Sequence, residues 1–520
     1  MTEQVIFEVA NTWTSIVQSD PFILSVLSKE SSYPTPQAIA IKHGFVSPEG
    51  ESSGWDGWIR LLHQPKTMYP YFPTGLLSRL TRICAKYGYQ PYVQDKRVRP
   101  EIGFPELVTI PLRDYQEAAV EAGVKVGRGI FDLPPRSGKS RLACELHRRI
   151  ALPTLWIAPT DRIVDQTTKV IAGFFGTNYV EHLIGSKWDK LADMPIVTCT
   201  AATAVGLSQE FYNTRKCLIV DEFHHSGAKS YTKEIFPKCD HIWWRFGMTG
   251  TNFRSGTDAM AMHGLLSNTI YKVTSAALLR RGYLVPTKVV FVPVPAHPKL
   301  RGAGTMFSGG FGKQGIHEHH YRNQLVTLAA VQLWQLGRKV LILVGTKAQG
   351  RELSHNLGHY LPQAPNGSEF DAVEFLSTDR PRDVQVRIID SFLANQEVKI
   401  LLGTSLLGEG VDLPNVDALV YARGEKAEVS LTQNAYRVCT AIPGKRDAII
   451  VDFADRHHRH LMAHSEERLE CYYAEPTFDV TVLPSADNLI GWLNKIATLD
   501  PGLVSIPVAE TNFVLGSEKS

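Results

Sequence analysis

What this chain of 520 residues has little of narrows it first. Its seven cysteines (Cys84, Cys144, Cys199, Cys217, Cys239, Cys439 and Cys471) are odd in number and show no C-x-x-C spacing. That argues against a disulfide scaffold or a zinc ribbon and fits free, mostly buried thiols in a reducing compartment. No apolar run approaches the roughly 18 residues a membrane span requires; the longest, such as Val340-Leu-Ile-Leu-Val344, are strand-sized. The start carries the acidic Glu3 and no basic-then-apolar signal pattern, so the expectation is a soluble, cytoplasmic protein with no membrane partner. Neither sign of charge dominates: 55 Lys+Arg stand against 52 Asp+Glu, a net +3. A polyanionic partner would therefore need a local basic groove, because the global field is weak. With 44% apolar and 21% charged residues the composition is that of an ordinary globular protein, and no long stretch reads as disordered.

At about 150 residues per domain the length suggests three or four domains. From about Arg113 to Phe453, short apolar runs alternate with longer amphipathic stretches. Examples of the runs are Thr154-Leu-Trp-Ile-Ala158, Cys217-Leu-Ile-Val220, Lys399-Ile-Leu-Leu402 and Ala448-Ile-Ile-Val451. Runs without alternation indicate strands covered on both faces, as in parallel sheets built from β-α-β units. The fold class expected is α/β. The divisions expected are an N-terminal accessory domain over 1–108, a nucleotide-binding block over 109–285 and a linker or insertion over 286–324. A second block over 325–480 and a short C-terminal extension over 481–520 complete the chain. The glycine-rich Arg301–Lys313 reads as a flexible linker or surface insertion, with a hairpin that touches nucleic acid as the alternative. No repeat of fixed period is present.

Ile130-Phe-Asp-Leu-Pro-Pro-Arg-Ser-Gly-Lys-Ser140 is an apolar strand and a tight loop, followed by the helix-forming Arg141–His147. Phosphate chemistry needs that order. In the loop Pro135 through Gly138 the available amides, with the helix start, point at phosphate, Lys139 supplies a point charge to the β and γ oxygens, and the Ser140 hydroxyl ligates Mg²⁺. The match to G-x-x-x-x-G-K-[ST] is imperfect, since Leu133 stands where its first glycine belongs and Arg136 occupies a loop position that is often glycine. Downstream, Cys217-Leu-Ile-Val-Asp-Glu222 places two carboxylates at the C-terminal end of a buried strand, the edge where open α/β sheets bind ligands. Asp221 is suited to hold Mg²⁺ and Glu222 to orient and deprotonate an attacking water. The plain alternative is that both merely cap a turn.

Taken together these segments resemble a superfamily 2 helicase of the DEAH-like kind over roughly 109–455. The resemblance implies two tandem RecA-like parallel-sheet domains, with a small N-terminal α+β domain and a short C-terminal extension. ATP and Mg²⁺ are the implied cofactors, in one site between the two RecA-like domains. Leu112-Arg-Asp-Tyr-Gln116 resembles the upstream adenine-recognising element, with Gln116 as base reader and Arg113 beside the nucleotide. Ala158–Gln166 resembles motif Ia and Ile196–Thr200 motif Ib, so that Thr160, Arg162 and Thr200 would lie against a nucleic-acid backbone. Gly247-Met-Thr-Gly-Thr251 resembles motif III. In the second block Val344-Gly-Thr346 resembles motif IV, and Gly403–Pro414 is similar to motif V, with Thr404 on a phosphate and Gly410 and Asp412 facing the nucleotide. Gln433-Asn-Ala-Tyr-Arg-Val-Cys-Thr440 matches motif VI, Q-R-x-G-R-x-x-R, only in part: Asn434, Tyr436 and Thr440 replace Arg, Gly and Arg. Gln433 remains, and Arg437 is the implied finger on the γ-phosphate.

Asp221–Lys229, Arg245–Thr251, Trp55–Arg60 and Phe72–Leu77 are similar to phage UvsW-type and XPB-like DNA helicases. The resemblance implies a DNA-remodelling ATPase on branched, duplex or single-stranded DNA, in a bacterial or phage-infected host cytoplasm and with a monomer favoured; RNA is not excluded. The alternatives are an ATP-gated nucleic-acid-binding scaffold with weak turnover, or the motor subunit of a repair or restriction assembly. His317-Glu-His-His320 lacks the H-E-x-x-H zinc spacing, Arg456–His460 with His464 reads as a solvated helix face, and Trp243-Trp244 as core. In the first module Trp55, Trp58, Tyr69, Tyr71, Lys96, Arg97 and Arg99 mix aromatic and basic side chains. Such a mixture suits single-strand or junction binding, and equally a small core with an exposed linker.

Overall fold

The computed structural model describes residues 3–35, 57–103, 107–223, 230–250, 259–295, 312–362, 368–394, 398–404, 413–425 and 429–498. The chain divides into two compact units, Met1–Thr274 and Ser275–Ser520.

In the first unit, β1 (Gln4–Val9) and β2 (Trp13–Gln18) alternate buried and exposed residues, the pattern of a sheet covered on one face. Strands β3 (Ser32–Pro34) and β4 (Trp58–Arg60) pair with each other; β5 (Tyr71–Pro73) and β6 (Gln90–Asp95) complete a four-stranded sheet in the order β5-β2-β1-β6. The helices Pro21–Glu30 and Leu77–Lys86 belong to the same module, with Val5, Phe7, Ile16, Leu27, Phe72 and Leu80 in one core. Asp20 starts the first helix by accepting from the amides of Phe22 (2.7 Å) and Ile23 (3.1 Å).

This module is bonded to the larger sheet of the same unit. The Thr12 amide donates to Asp240 at 3.1 Å, while its hydroxyl donates to the Phe236 carbonyl and accepts from Arg245 at 2.9 Å. Arg128 donates to the Asn11 carbonyl at 2.9 Å. Gly75 has no room for a side chain, since an added Cβ would meet the carbonyl oxygen of His263.

The larger sheet holds β7 (Arg128–Asp132), β8 (Thr154–Ala158), β9 (Val180–His182), β10 (Ile196–Thr200), β11 (Cys217–Val220), β12 (Trp244–Thr249) and β13 (Thr269–Lys272). The order is β13-β7-β12-β11-β8-β10-β9, and every pairing is parallel. Strands β7, β8, β10, β11 and β12 are buried at every position, which is why β8 and β11 read as apolar runs without alternation. Because β7, β12 and β11 are neighbours, the loops after them emerge side by side, about 4.8 Å apart per strand.

The second unit has an equivalent sheet of β14 (Thr287–Val294), β15 (Val340–Leu343), β16 (Val373–Leu376), β17 (Ile400–Gly403), β18 (Ala418–Tyr421), β19 (Ala448–Asp455) and β20 (Phe478–Val482), in the order β16-β17-β15-β18-β19-β14-β20. All its pairings are parallel. Two features differ from expectation. Thr287-Lys-Val-Val-Phe-Val-Pro-Val294 lies in the stretch read as linker, yet it is an eight-residue strand between β19 and β20. The helix Asn488–Thr498, within the expected extension, packs Leu489, Leu493 and Ile496 into the same core as Leu325, Ile342 and Val420. Both segments bury apolar side chains that would otherwise face water.

Candidate functional site

The loop after β7 wraps toward the helix Lys139–Ile150. Leu133, in the place of the pattern's first glycine, is buried and donates its amide to the Thr249 carbonyl, so it faces the core. The backbone then turns through positive φ at Arg136 (67°) and Gly138 (75°). Left-handed backbone at a non-glycine costs on the order of 1 kcal/mol and persists where the surroundings hold it. A residue with left-handed φ beside right-handed neighbours turns amides into one concavity, the form that receives an anion. The helix that follows has Gly138 at its cap and no side-chain cap bond, which leaves its first N–H groups to that concavity. The Ser137 hydroxyl is fully buried with no partner among the described residues.

Lys139 lies with its ammonium 3.5 Å from Oε1 of Glu222. Asp221 follows β11 directly; its amide donates to the Ile157 carbonyl of β8, and its Oδ1 accepts the Glu222 amide at 2.9 Å. Burial, with the neighbouring Glu222 carboxylate adding to it, pushes the Asp221 carboxyl up to about 6, against the pull of Lys139. Glu222 itself sits at φ 44°. Gly250, just beyond β12, completes the group: a Cβ there would meet the Lys139 ammonium. Ser140 is half-buried in the first turn of the helix. Lys139, Ser140, Asp221, Glu222 and Gly250 therefore gather at one sheet edge. The uncapped amides, the ammonium and the carboxylates are the donor set that a nucleoside triphosphate with Mg²⁺ requires, and the buried Ser137 hydroxyl fits the same cradle.

Gln116 sits beneath the loop. Its Nε2 donates to the carbonyls of Ser137 (2.8 Å) and Gly138 (3.3 Å), and its Oε1 accepts the Arg113 amide at 2.9 Å, so both ends of the amide engage main chain. Tyr115 also donates to the Ser137 carbonyl, at 2.5 Å, and accepts from Arg113. Arg113, Tyr115 and Gln116 together brace the loop. Tyr115 was missed by sequence reasoning, because nothing in a plain aromatic beside Gln116 marks it as a brace.

On the other half of this edge, Thr160 caps the helix Asp161–Phe175 and Thr200 caps Ala201–Gly206, each through its hydroxyl. Arg162 is half-buried in the first turn of the former. In the second unit Thr346 caps Lys347–Gly358 by accepting from the Gln349 amide at 3.2 Å, and Thr404 follows β17, the neighbour of β15. All four threonines thus stand at the C-terminal edges of parallel strands. Gln433 lies on the helix Val429–Ala435 and is half-buried. Arg437 is buried in the short 3₁₀ turn that follows, and its Nε donates to Oδ1 of Asn434 at 3.2 Å. The other two departures from motif VI hold structure: Tyr436 donates to Glu475 at 2.7 Å, and Thr440 bridges Leu284. Gly410 and Asp412 lie outside the described residues, as does Trp55.

Of the basic and aromatic residues of the first module, Trp58, Tyr69 and Lys96 are exposed, while Tyr71, Arg97 and Arg99 make contacts within the unit. Arg97 pairs with Asp95 at 2.6 Å, Arg99 lies over the rings of Trp243 (5.0 Å) and Trp244 (4.8 Å), and Tyr71 stacks on His63. Trp244 is fully buried, as core. His319 caps the helix His320–Gln335, His317 approaches Gln349, and His457 donates to the Gly315 carbonyl at 3.0 Å.

A phosphate-type loop with paired carboxylates on a parallel sheet, followed by a second such sheet, defines tandem RecA-like domains of the nucleotide-binding class. Residues 109–254 match the family described as type III restriction enzyme, res subunit, and residues 323–440 match the helicase conserved C-terminal domain. The chain belongs to the superfamily 2 helicases. It is 23% identical over 474 residues to the ATP-dependent DNA helicase uvsW of Enterobacteria phage T4, covering 82% of this chain and 90% of that one. It is also 23% identical over 385 residues to the DNA 3'-5' translocase XPB2 of Sulfurisphaera tokodaii (69% and 85%). Among solved structures it resembles a fragment of a putative HsdR subunit of a type I restriction enzyme from Vibrio vulnificus. That match has a TM-score of 0.52 at 17% identity, over 78% of this chain and 74% of that one. The DNA-bound type ISP restriction-modification enzyme LlaBIII matches at TM-score 0.55 and 13% identity, over 81% of this chain and 37% of that one. No helix among the described residues is long and apolar enough to cross a membrane.

Proposed function

We propose that the protein is an ATP-driven DNA translocase that remodels branched or duplex DNA by branch migration, reannealing or unwinding. The observation that carries the proposal is the Lys139 ammonium 3.5 Å from the Glu222 carboxylate, with the buried Asp221 beside them at the end of β11. Mg²⁺ supplies charge neutralisation across the phosphates when bound, and Ser140 and Asp221 are the residues that would hold it. Lys139 and the amides of Arg136, Ser137 and Gly138 hold the phosphates, with Pro135 shaping the loop beside them, while Glu222 orients a water and takes its proton. Gln433 and Arg437 act on the γ-phosphate, Gly410 and Asp412 face the nucleotide, and Arg113 with Gln116 completes the nucleotide's surroundings. Thr160, Arg162, Thr200, Thr346 and Thr404 contact phosphodiester groups. Helix starts and hydroxyls of that kind read no base, so binding is sequence-tolerant and falls steeply with salt.

The names of the relatives support DNA as the substrate. The match to a restriction-enzyme res subunit favours a second reading, a motor subunit of a restriction assembly whose cutting activity lies in another chain. ATP hydrolysis is measured without nucleic acid and with single-stranded, duplex, forked and four-way DNA, and with RNA, for wild type, Lys139→Ala and Glu222→Gln. Stimulation by forked or four-way DNA, lost in both variants, is expected. A wild-type rate indifferent to every DNA would sink the proposal.

A further inference from the structure

The loop between β9 and β10 carries a feature that the ATP chemistry does not use. Ile184 is 76% exposed, the most exposed large apolar side chain described beyond residue 109; Val126, Val386, Met462 and Tyr473 range from 39% to 61%. A lone exposed aliphatic is ordinary by itself. This one stands on a rigid base at a particular edge. Immediately before it, Leu183 is buried and donates its amide to the Thr198 carbonyl of β10 at 2.8 Å. One residue earlier, His182 Nδ1 lies 2.8 Å from Asp165, which ties the strand end to the helix capped by Thr160. Immediately after it, Gly185 reverses the chain at φ 73°, with open space where a Cβ would stand. The loop returns to the body at Trp188, whose ring meets Phe211 edge-on at 5.6 Å and whose carbonyl accepts the Leu191 amide. Lys187 and Lys190 are exposed on the returning limb, with Asp189 between them.

An apolar tip held at both ends, beside the two threonine-capped helix starts and followed by two ammonium groups on its returning limb, is built to enter a stack of bases. We propose that Ile184 is a wedge that inserts between adjacent bases of bound DNA and opens the stack there; this rests on the reading of that sheet edge as the nucleic-acid face. Aliphatic side chains driven into a base step unstack it without reading sequence, as a sequence-tolerant motor needs. The lysines of the returning limb hold phosphate on that side of the tip, and the anchored Leu183 and Trp188 keep the tip from folding back when it meets the stack.

The test uses the full chain and forked DNA carrying 2-aminopurine at the junction, a base whose fluorescence rises when it is unstacked. Wild type is expected to raise the signal several-fold on binding. Ile184→Ser should leave the signal near that of free DNA with little change in Kd by anisotropy, and Ile184→Leu should restore it. Strand separation per ATP hydrolysed should fall on the order of tenfold in Ile184→Ser, with single-strand-stimulated hydrolysis unaffected. An Ile184→Ser signal equal to wild type, or wild type bound to the fork without any rise, would overturn the wedge. Absence of DNA binding in wild type would instead remove the nucleic-acid face itself, and the wedge with it.

Discussion

The guanidinium of Arg437 is aimed by Asn434: Nε donates to Oδ1 across 3.2 Å, three residues back along the same turn. Asn434 is itself fully buried, and its Nδ2 has no partner among the described residues, so the bond to Arg437 is made away from water. The residue that departs from the family pattern has thus become the holder of the one that keeps it. Asn434→Ala should lower the DNA-stimulated kcat about tenfold, the size of one hydrogen bond to a charged group, with KM for ATP little changed. Arg437→Ala should cost about 10³ or more. Steady-state hydrolysis distinguishes them, and a wild-type rate in Asn434→Ala would refute the aiming role.

Gly250 bears on Lys139 in a way that a single methyl group can expose. Gly250→Ala sets a carbon where the ammonium now lies. The displaced atom is the end of a flexible side chain, so the fold should hold its melting temperature to within about 2 °C. Catalysis should not hold. The kcat should fall on the order of tenfold or more, because a misplaced charge loses transition-state stabilisation. Matching melting curves together with unequal ATPase rates is the expected pair of readings.

His147 predicts how the first unit responds to acid. It is fully buried on the helix that begins at Lys139, between the hydroxyls of Thr154 (2.9 Å) and Tyr179 (3.1 Å), and burial depresses its pKa to about 3. The unfolded chain takes up this proton below about 6.5 while the folded one refuses it. Stability is therefore complete above pH 6.5 and falls as pH drops, by about 1.4 kcal/mol per unit from this group until about pH 3. Denaturant unfolding at pH 7.5 and at two acidic values should show that slope, and His147→Gln should flatten it from a lower starting stability. An unchanged slope in the variant would place the acid sensitivity elsewhere.

Thr12 joins the first module to the strand that leads into Gly250. Its hydroxyl accepts from Arg245, whose Nη1 already lacks a partner among the described residues. Thr12→Val leaves a second buried guanidinium N–H unpaired, at a cost of about 2 kcal/mol, or about 5 °C in melting temperature. Differential scanning calorimetry reads this directly, and no shift would mean that the contact contributes nothing to stability.

Much of the site was legible before any coordinates, because phosphate chemistry constrains local order. A strand, a tight turn and Gly-Lys-Ser must follow one another, so Lys139 and Ser140 could be read off the chain, as could Asp221 and Glu222 after an apolar run. What eluded the sequence was mostly contact across distance. Gln116, expected near the nucleotide, also braces the phosphate loop by donating to the carbonyls of Ser137 and Gly138, more than twenty positions away. Arg97 and Arg99 meet Asp95 and two tryptophans, contacts that basic residues beside aromatic ones did not reveal. The strand Thr287–Val294 was written in plain β-branched letters and was obscured only by its position between two motif-bearing blocks.

By itself the chain determined its two parallel-sheet blocks, their order and which polar residues stand at the ends of β7 and β11, since apolar runs and short polar loops are local properties of a polypeptide. Tertiary structure alone decided that β12 lies between β7 and β11, so that Gly250 backs onto Lys139, and that Ile184 projects from an anchored turn. Strand order and exposure depend on which distant surfaces leave water together, and no local pattern of residues encodes that choice.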